Sequence, residues 1–271
     1  MALRGIACVI LCGGLGKRLR PAVGDLPKCL APVGGRPFLE YLLLQLREAG
    51  VRRVTLCTGH GSRQVAACVA SGSRWGMSVG YSQEKELLGT AGALKNAVGA
   101  VNSSPFLVLN GDSILETNLE QLVQFHVARG ALVTLGLAQV RDIVRYGSVQ
   151  TDEAGKILNF SEKCEASKAA LPQNRARAVS APHLPLAAST NSPIEVLSEA
   201  LVNGGVYVMD REIFSEIPLA PPPVSLETQI FPRLAGHRIF GLAQPGYFID
   251  IGIPEDYQRA QSELPGRFGS C

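Results

Sequence analysis

Two hydrophobic rhythms alternate along this chain. Short, almost unbroken apolar runs are followed by segments whose apolar residues return every three or four positions. IACVILC reads as a buried strand, and PFLEYLLLQLREAG as an amphipathic helix that stops at Gly50. VRRVTLCTG and GSRQVAACVASG repeat the pair, as do MSVGYSQE and GTAGALKNAVGAV. PFLVLNGD is a further strand, NLEQLVQFHVARG a helix and ALVTLGLAQV a strand. Strands alternating with helices predict a mostly parallel sheet covered on both faces. In such sheets the ligand lies beyond the carboxyl ends of the strands. The loop 13–20 and the turn 110–112 both fall at such ends, so they are expected to meet at one cleft.

The pattern changes after position 145. YGSVQTDEAGKILNFSEK predicts a hairpin turning near 152–155. A stretch rich in Ala, Ser and Pro follows, at about 165–198, without periodicity, and is expected to be a mobile surface insertion. EALVNGGVYVMD then predicts a strand, SLETQIFPRLAG a short helix and GYFIDIG a strand. PEDYQRAQSEL carries the proline and acids of a helix start. No internal repeat is visible.

Composition narrows the class. The 271 residues suffice for one large α/β domain or two small ones. The formal net charge of +3 comes from 26 basic and 23 acidic residues spread along the chain, which argues against a nucleic-acid surface. The first residues are interrupted too early by Arg4 and Gly5 for a signal peptide, and no apolar run is long enough to span a bilayer. Seven cysteines without CxxC or Cys/His spacing predict reduced thiols and a cytoplasmic protein.

The first strand runs into CGGLGKRLRP. Glycines let backbone N–H groups approach an anion, and Lys17, Arg18 and Arg20 add charge that grips phosphate oxygens. The spacing fits neither the P-loop GxxxxGK[ST] nor GxGxxG. By itself the stretch reads equally well as a turn with solvated cations. LPKCLAPVGGRPFLEY then adds Lys28 just after Pro27, on a segment stiffened by three prolines. At this point the chain resembles the sugar-1-phosphate nucleotidyltransferases. That family's opening pattern, roughly LxGGxGTRLxP followed by PKxLxPVxxKPxxEY, stands here as LCGGLGKRLRP and LPKCLAPVGGRPFLEY, with Lys17 where the family usually has Thr. ELLGTAGALKNA, LNGDS, RYGSV, FSEKC (Cys164 for the usual Pro), LVNGGVYVMD, SLETQIFP and GYFIDIGIPEDY continue the likeness in order over nearly all but the insertion.

The resemblance implies a Rossmann-like three-layer α/β sandwich with a mostly parallel, mixed central sheet, of the nucleotide-diphospho-sugar transferase type. It also implies a single domain, with 1–150 the nucleotide-binding half and 151–271 the sugar-binding half. In the reaction it implies, a phosphate oxygen of a sugar 1-phosphate attacks the α-phosphorus of a nucleoside triphosphate and pyrophosphate leaves. Both partners are polyanions, so catalysis is mainly positioning and charge neutralisation. Magnesium wants carboxylate oxygens and keeps several waters, and Asp112 and Asp250 each end a short apolar run. By resemblance these two would hold Mg²⁺, Arg18 the β- and γ-phosphates and Lys28 the α-phosphate region. Leu11, Gly13, Gly14, Gly16, Lys17, Gln83, Gly89 and Thr90 would form the nucleotide site. Tyr146, Gly147, Glu162, Lys163, Asn203 and Gly204 would form the sugar-phosphate site. The LNGDS turn and the FIDIG ending look most like the heptose- and mannose-1-phosphate guanylyltransferase branch. That favours GTP and D-glycero-α-D-manno-heptose 1-phosphate, with glucose-1-phosphate thymidylyl- or uridylyltransferase as runner-up. Oligomeric state is left open, a homo-oligomer included. A nucleotide-sugar-binding regulatory module would keep the loop but lose the acids, and a related glycosyltransferase would need an Asp-x-Asp motif that is absent.

Overall fold

The computed structural model describes residues 3–14, 16, 18–140, 146–162 and 200–268. Lys17, Lys163 and the Ala/Ser/Pro-rich stretch at 165–198 lie outside them. In chain order the strands and α-helices are β1 Ala7–Leu11, α1 Arg20–Val23, β2 Pro32–Val33, β3 Arg36–Pro37, α2 Phe38–Glu48, β4 Arg53–Thr58, α3 Ser62–Val69, β5 Ser78–Gln83, α4 Gly89–Asn96, β6 Phe106–Asn110 and β7 Ser113–Leu115. They continue with α5 Leu119–Arg129, β8 Val133–Val140, β9 Ser148–Thr151, β10 Ile157–Ser161, β11 Ala200–Met209, α6 Ile213–Glu216, α7 Phe231–Leu234, β12 Ile239–Ala243, β13 Phe248–Asp250 and α8 Pro254–Glu263.

The main sheet has seven strands in the order β12-β8-β11-β6-β1-β4-β5. β1 runs parallel to β4 and β6, β4 to β5, and β12 to β8, whereas β11 runs antiparallel to both of its neighbours. The sheet is therefore mixed and takes strands from both halves of the chain. β1 shows why its sequence reads as an unbroken apolar run. Cys8 and Ile10 enter one core with α2, α5 and α8, while Ala7 and Val9 enter a second with α4 and α7. A strand buried on both faces needs apolar residues at every position. Two cores flanking one sheet make the three layers.

Smaller pairings complete the site end. β13 pairs antiparallel with β7, with Asp250 opposite Ser113. The predicted hairpin is formed by β9 and β10, turning at Asp152, whose carboxylate accepts from Ala154 and Lys156 N–H. The SLETQIFP helix begins with a π-turn at Leu226–Ile230, capped by the Ser225 hydroxyl, before α7. No described helix is long and apolar enough to cross a membrane.

One buried polar contact makes stability pH-dependent. His126 on α5 is 3% exposed and its Nδ1 lies 3.0 Å from Thr134 Oγ1 on β8. Burial pushes its pKa down to about 4. The unfolded chain takes up this proton near pH ~6.5, so between ~6.5 and about 4 unfolding binds a proton that the native state refuses. The contribution is complete above ~6.5 and lost as pH falls towards about 4. Thermal unfolding of wild type and His126→Gln should show a stability gap that narrows on acidification through that window; parallel curves would disprove the linkage.

Candidate active site

Beyond the carboxyl ends of β1, β5 and β6 lies a cleft of about 770 Å³. The loop after β1 forms one lip. Its glycines have different surroundings. A Cβ on Gly13 would collide with the Glu84 carboxylate, as would one on Gly59, so these two glycines admit that side chain. Gly14 faces open space, and Gly16 is left-handed at φ +59°, its carbonyl accepting from Leu19 and Arg20 N–H as α1 begins. Arg18, exposed, lines the cleft, whereas Arg20 pairs with Asp25 outside it.

Beside the loop, where Gly16 packs against Lys28, three ionisable side chains converge. Lys28 stands on a 3₁₀ turn begun by Pro27, and its Nζ is 2.6 Å from Asp112 Oδ2. Burial alone would lower the Lys28 pKa, but the facing carboxylates of Asp112 and Asp250 outweigh it and hold it above its ordinary value. The β7–β13 pairing brings Asp250 to Asp112, with Ile251 N–H donating to the Asp112 carbonyl at 2.9 Å. Burial, then the charge of Asp112, pushes the Asp250 carboxyl up to about 6. Its Oδ1 accepts from Gly252 N–H at 2.7 Å. A side chain at Gly252 would strike both Lys28 Nζ and Asp250 Oδ1, so this glycine is what lets the lysine reach the acids. Two neighbouring carboxylates with a single lysine are short of positive charge, and their oxygens suit a hard divalent cation that keeps several waters. Among the described residues no cluster of three or more His, Cys, Asp or Glu side chains offers a fully protein-ligated alternative.

The far wall is hydroxyl- and amide-rich. Glu162 follows β10, and burial, then the charges of Glu227 and Asp250, raise its pKa to about 7. Gly147 packs so closely on the Ser161 carbonyl that no Cβ fits. The Tyr146 hydroxyl donates to buried Asp256, leaving its ring, edge-on to Phe248, as the surface it offers the cleft. Asn203 lies on β11 beside a break in register with β8. The chemistry of the cleft is therefore cationic at the loop, acidic at its centre and hydrogen-bonding at the wall.

Residues 7–266 match the nucleotidyl transferase family. The chain belongs to that family. It is 33% identical, over 94% of its length and 97% of the relative's, to D-glycero-alpha-D-manno-heptose 1-phosphate guanylyltransferase of Aneurinibacillus thermoaerophilus. It is 32% identical to the mannose-1-phosphate guanylyltransferase of Mycobacterium tuberculosis, covering 97% of this chain and 66% of that one. The crystal structure of HddC from Yersinia pseudotuberculosis complexed with GMP-PN superposes with a TM-score of 0.74 at 28% identity, over 96% of this chain and all of that one.

Within this nucleotidyl transferase, the residues expected from sequence divide into two sets. Leu11, Gly13, Gly14, Arg18, Lys28, Gly89, Thr90, Asp112, Tyr146, Gly147, Glu162, Asn203 and Asp250 all line the one cleft. Gly16, Gln83 and Gly204 do not. Gln83 is exposed at the end of β5, and the next residue, Glu84, turns into the cleft instead. Gly204 is buried against Leu115, and its neighbour Gly205, at φ +72°, takes the wall position. Thr90 is committed elsewhere: its hydroxyl donates to Glu227 Oε2 at 2.6 Å. Gly89 is left-handed, and a Cβ there would run into the Val224 carbonyl, which accepts from Ala91 N–H at the start of α4. Cys12, beside the loop, is buried with its thiol held well above its ordinary pKa by the Cys29 thiol and by burial, so it is inert. Glu84, Ser113, Gly205, Glu227 and Gly252 were not singled out as site residues. Four of them lie in segments that signalled the family in sequence, Ser113 in LNGDS, Gly205 in LVNGGVYVMD, Glu227 in SLETQIFP and Gly252 in FIDIG, whereas Glu84 stands only at the end of the MSVGYSQE strand run.

Proposed function

We propose that the chain joins a nucleoside triphosphate, GTP by preference, to a manno-configured sugar 1-phosphate, D-glycero-α-D-manno-heptose 1-phosphate, releasing pyrophosphate and the GDP-sugar in the cytoplasm. The observation that carries this reading is the match to a heptose 1-phosphate guanylyltransferase along nearly the whole of both chains. The first half of the chain would hold the nucleotide and the second the sugar.

The cleft supports the chemistry step by step. Backbone N–H groups of the glycine loop and the Arg18 guanidinium would receive the β- and γ-phosphates, where charge accumulates as pyrophosphate leaves. Lys28, paired with Asp112 at 2.6 Å, would move its charge onto the α-phosphate region. Asp112 and Asp250 fit Mg²⁺, which when bound would supply charge neutralisation between the reacting phosphates. At the nucleotide end Glu84 offers a carboxylate, held by Leu88 N–H at 3.2 Å. A carboxylate accepts the adjacent N1–H and N2–H donors of guanine, while uracil and thymine offer a single N–H on that edge. Glu162 and Asn203 would take sugar hydroxyls, and Lys163 the sugar's phosphate. Attack by the sugar-phosphate oxygen on the α-phosphorus needs the two anions held in line with their charge neutralised, which the cationic lip and the hydroxyl-reading wall would supply together.

A second reading, mannose 1-phosphate as the sugar, is favoured by the Mycobacterium tuberculosis relative. Pyrophosphate release from GTP, dTTP, UTP and CTP, each against heptose, mannose and glucose 1-phosphates, tests both. GTP with the heptose phosphate should be used best. Preference for glucose 1-phosphate with dTTP or UTP would overturn the reading, and no release with any pair would remove the activity.

A further inference from the structure

Glu227 has no place in the roles assigned so far, yet it is 9% exposed, lines the cleft and sits on the π-turn that precedes α7. Its hydrogen bonds can be oriented from fixed backbone donors. Thr90 Oγ1 accepts Leu226 N–H at 2.8 Å, so its own proton goes to Glu227 Oε2 at 2.6 Å. Ser225 Oγ accepts Thr228 N–H at 3.2 Å, so its proton also goes to Oε2, at 3.0 Å. Glu227 is thus an acceptor on that side. Its other oxygen, Oε1, faces the Tyr207 hydroxyl at 3.4 Å and takes that proton.

Tyr207 can then only accept from its two remaining neighbours. Asn203 confirms this from the opposite end. Its Oδ1 is occupied by Gly205 N–H at 3.0 Å, so its Nδ2 must face Tyr207 Oη, at 2.9 Å. Asn110 is under the same constraint and gives its Nδ2 to the phenol at 3.3 Å. Its Oδ1 is therefore forced the other way, where it is buried without a partner among the described residues, as is the nearby Ser113 Oγ. Asn110 and Ser113 both line the cleft. A buried acceptor left without a donor is unfavourable unless a ligand supplies one.

We infer that Glu227 is a positioning residue for the sugar: acting through Tyr207, it fixes the Asn110 amide so that its oxygen, beside Ser113, accepts a hydroxyl of the bound sugar phosphate. The ligand class is a polyhydroxylated sugar ring with a free hydroxyl donor at this wall, and the inference rests on the sugar-phosphate reading above. The carboxylate links the two ends of the cleft, since one oxygen holds α4 through Thr90 while the other sets the polarity of the wall.

Glu227→Gln separates the two duties. Its amide oxygen still serves Thr90 and Ser225, but its amide nitrogen donates to Tyr207. The phenol proton must then go to Asn110 Oδ1, turning that amide over. Tyr207→Phe removes the link altogether. Steady-state kinetics with GTP and mannose or heptose 1-phosphate should show KM for the sugar phosphate raised about tenfold in each variant, with kcat and KM for GTP within about threefold. The double variant should be no worse than the single ones, because both changes break the same relay. An analogue lacking the hydroxyl that meets this wall should be used equally by wild type and variants. Wild-type turnover with equal rises in both KM values, or with losses that follow the thermal midpoint alone, would make Glu227 a merely structural residue and overturn the inference. Absence of turnover in wild type would instead strike the proposed function itself and take this inference with it.

Discussion

Asp112→Asn and Asp250→Asn should each remove most of the nucleotidyl transfer, on the order of a hundredfold or more, and the double variant should be little worse than either. Groups that act as one unit lose their joint contribution at the first substitution. The two residues are remote in sequence and meet only because β13 lies antiparallel to β7, with Asp250 opposite Ser113. Asn keeps the shape and one oxygen while deleting the charge, so the fold is retained. Stability should distinguish the two sites. Asp250 is raised to about 6 by burial and by the charge of Asp112, so Asp250→Asn relieves repulsion and should leave the thermal midpoint equal or higher. Asp112→Asn removes the partner 2.6 Å from Lys28 and should lower it slightly. Turnover titrated with Mg²⁺ for wild type, both single variants and the double is the measurement. Multiplicative losses, or normal magnesium dependence in one single variant, would separate the aspartates and dismiss a shared metal site.

Arg18→Ala should lower kcat/KM by roughly 10²–10³-fold, with most of the loss in kcat. An arginine contact to the leaving pyrophosphate strengthens as negative charge gathers there, so the transition state loses more than the ground state. Thermal stability should be little changed, because Arg18 is exposed on the lip of the cleft. Arg20→Ala, two positions on, is the internal control: its guanidinium is held by Asp25 outside the cleft and the change should leave turnover near wild type. If both variants behave alike, the loop is a turn with solvated cations and nothing more.

Much of this site was legible before any coordinates. Loop ends of parallel strands gather at one edge of a sheet, so the glycine-rich loop and the Asn110-Gly111-Asp112 turn were bound to be neighbours once strand–helix alternation was recognised. Gly111 shows how close they come, with its N–H on the Leu11 carbonyl at 2.9 Å. The cleft lining departs from the expected residues where side-chain direction depends on one step of register. Gln83 and Glu84 are adjacent, and the strand's alternation sends them to opposite sides, so choosing between them needs the pairing with β4 that sets which side is in. Gly204 and Gly205 present the same problem, made harder by the irregularity in β11 between Asn203 and Val206. The three-residue strand β7 has no period to detect, and its pairing with β13, expected as a strand at GYFIDIG, is what brings the two aspartates to one place.

Local pattern determined the longer elements of this protein: which segments are buried on both faces, where helices begin at proline and end at glycine, and where the cationic loop must sit relative to the sheet. Those properties follow from hydrophobic period and backbone chemistry, which act over a few residues at a time. The tertiary structure decided what depends on partners far apart in the chain. It set β11 antiparallel within an otherwise parallel sheet, placed Gly252 so that Lys28 can reach Asp112 and Asp250, and committed the Thr90 and Tyr146 hydroxyls to Glu227 and Asp256. It also joined Glu227, Tyr207, Asn203 and Asn110 into one polarised chain of hydrogen bonds. A hydrogen bond's direction is settled only when every donor and acceptor around it is known, and in this cleft those neighbours come from four separate stretches of sequence.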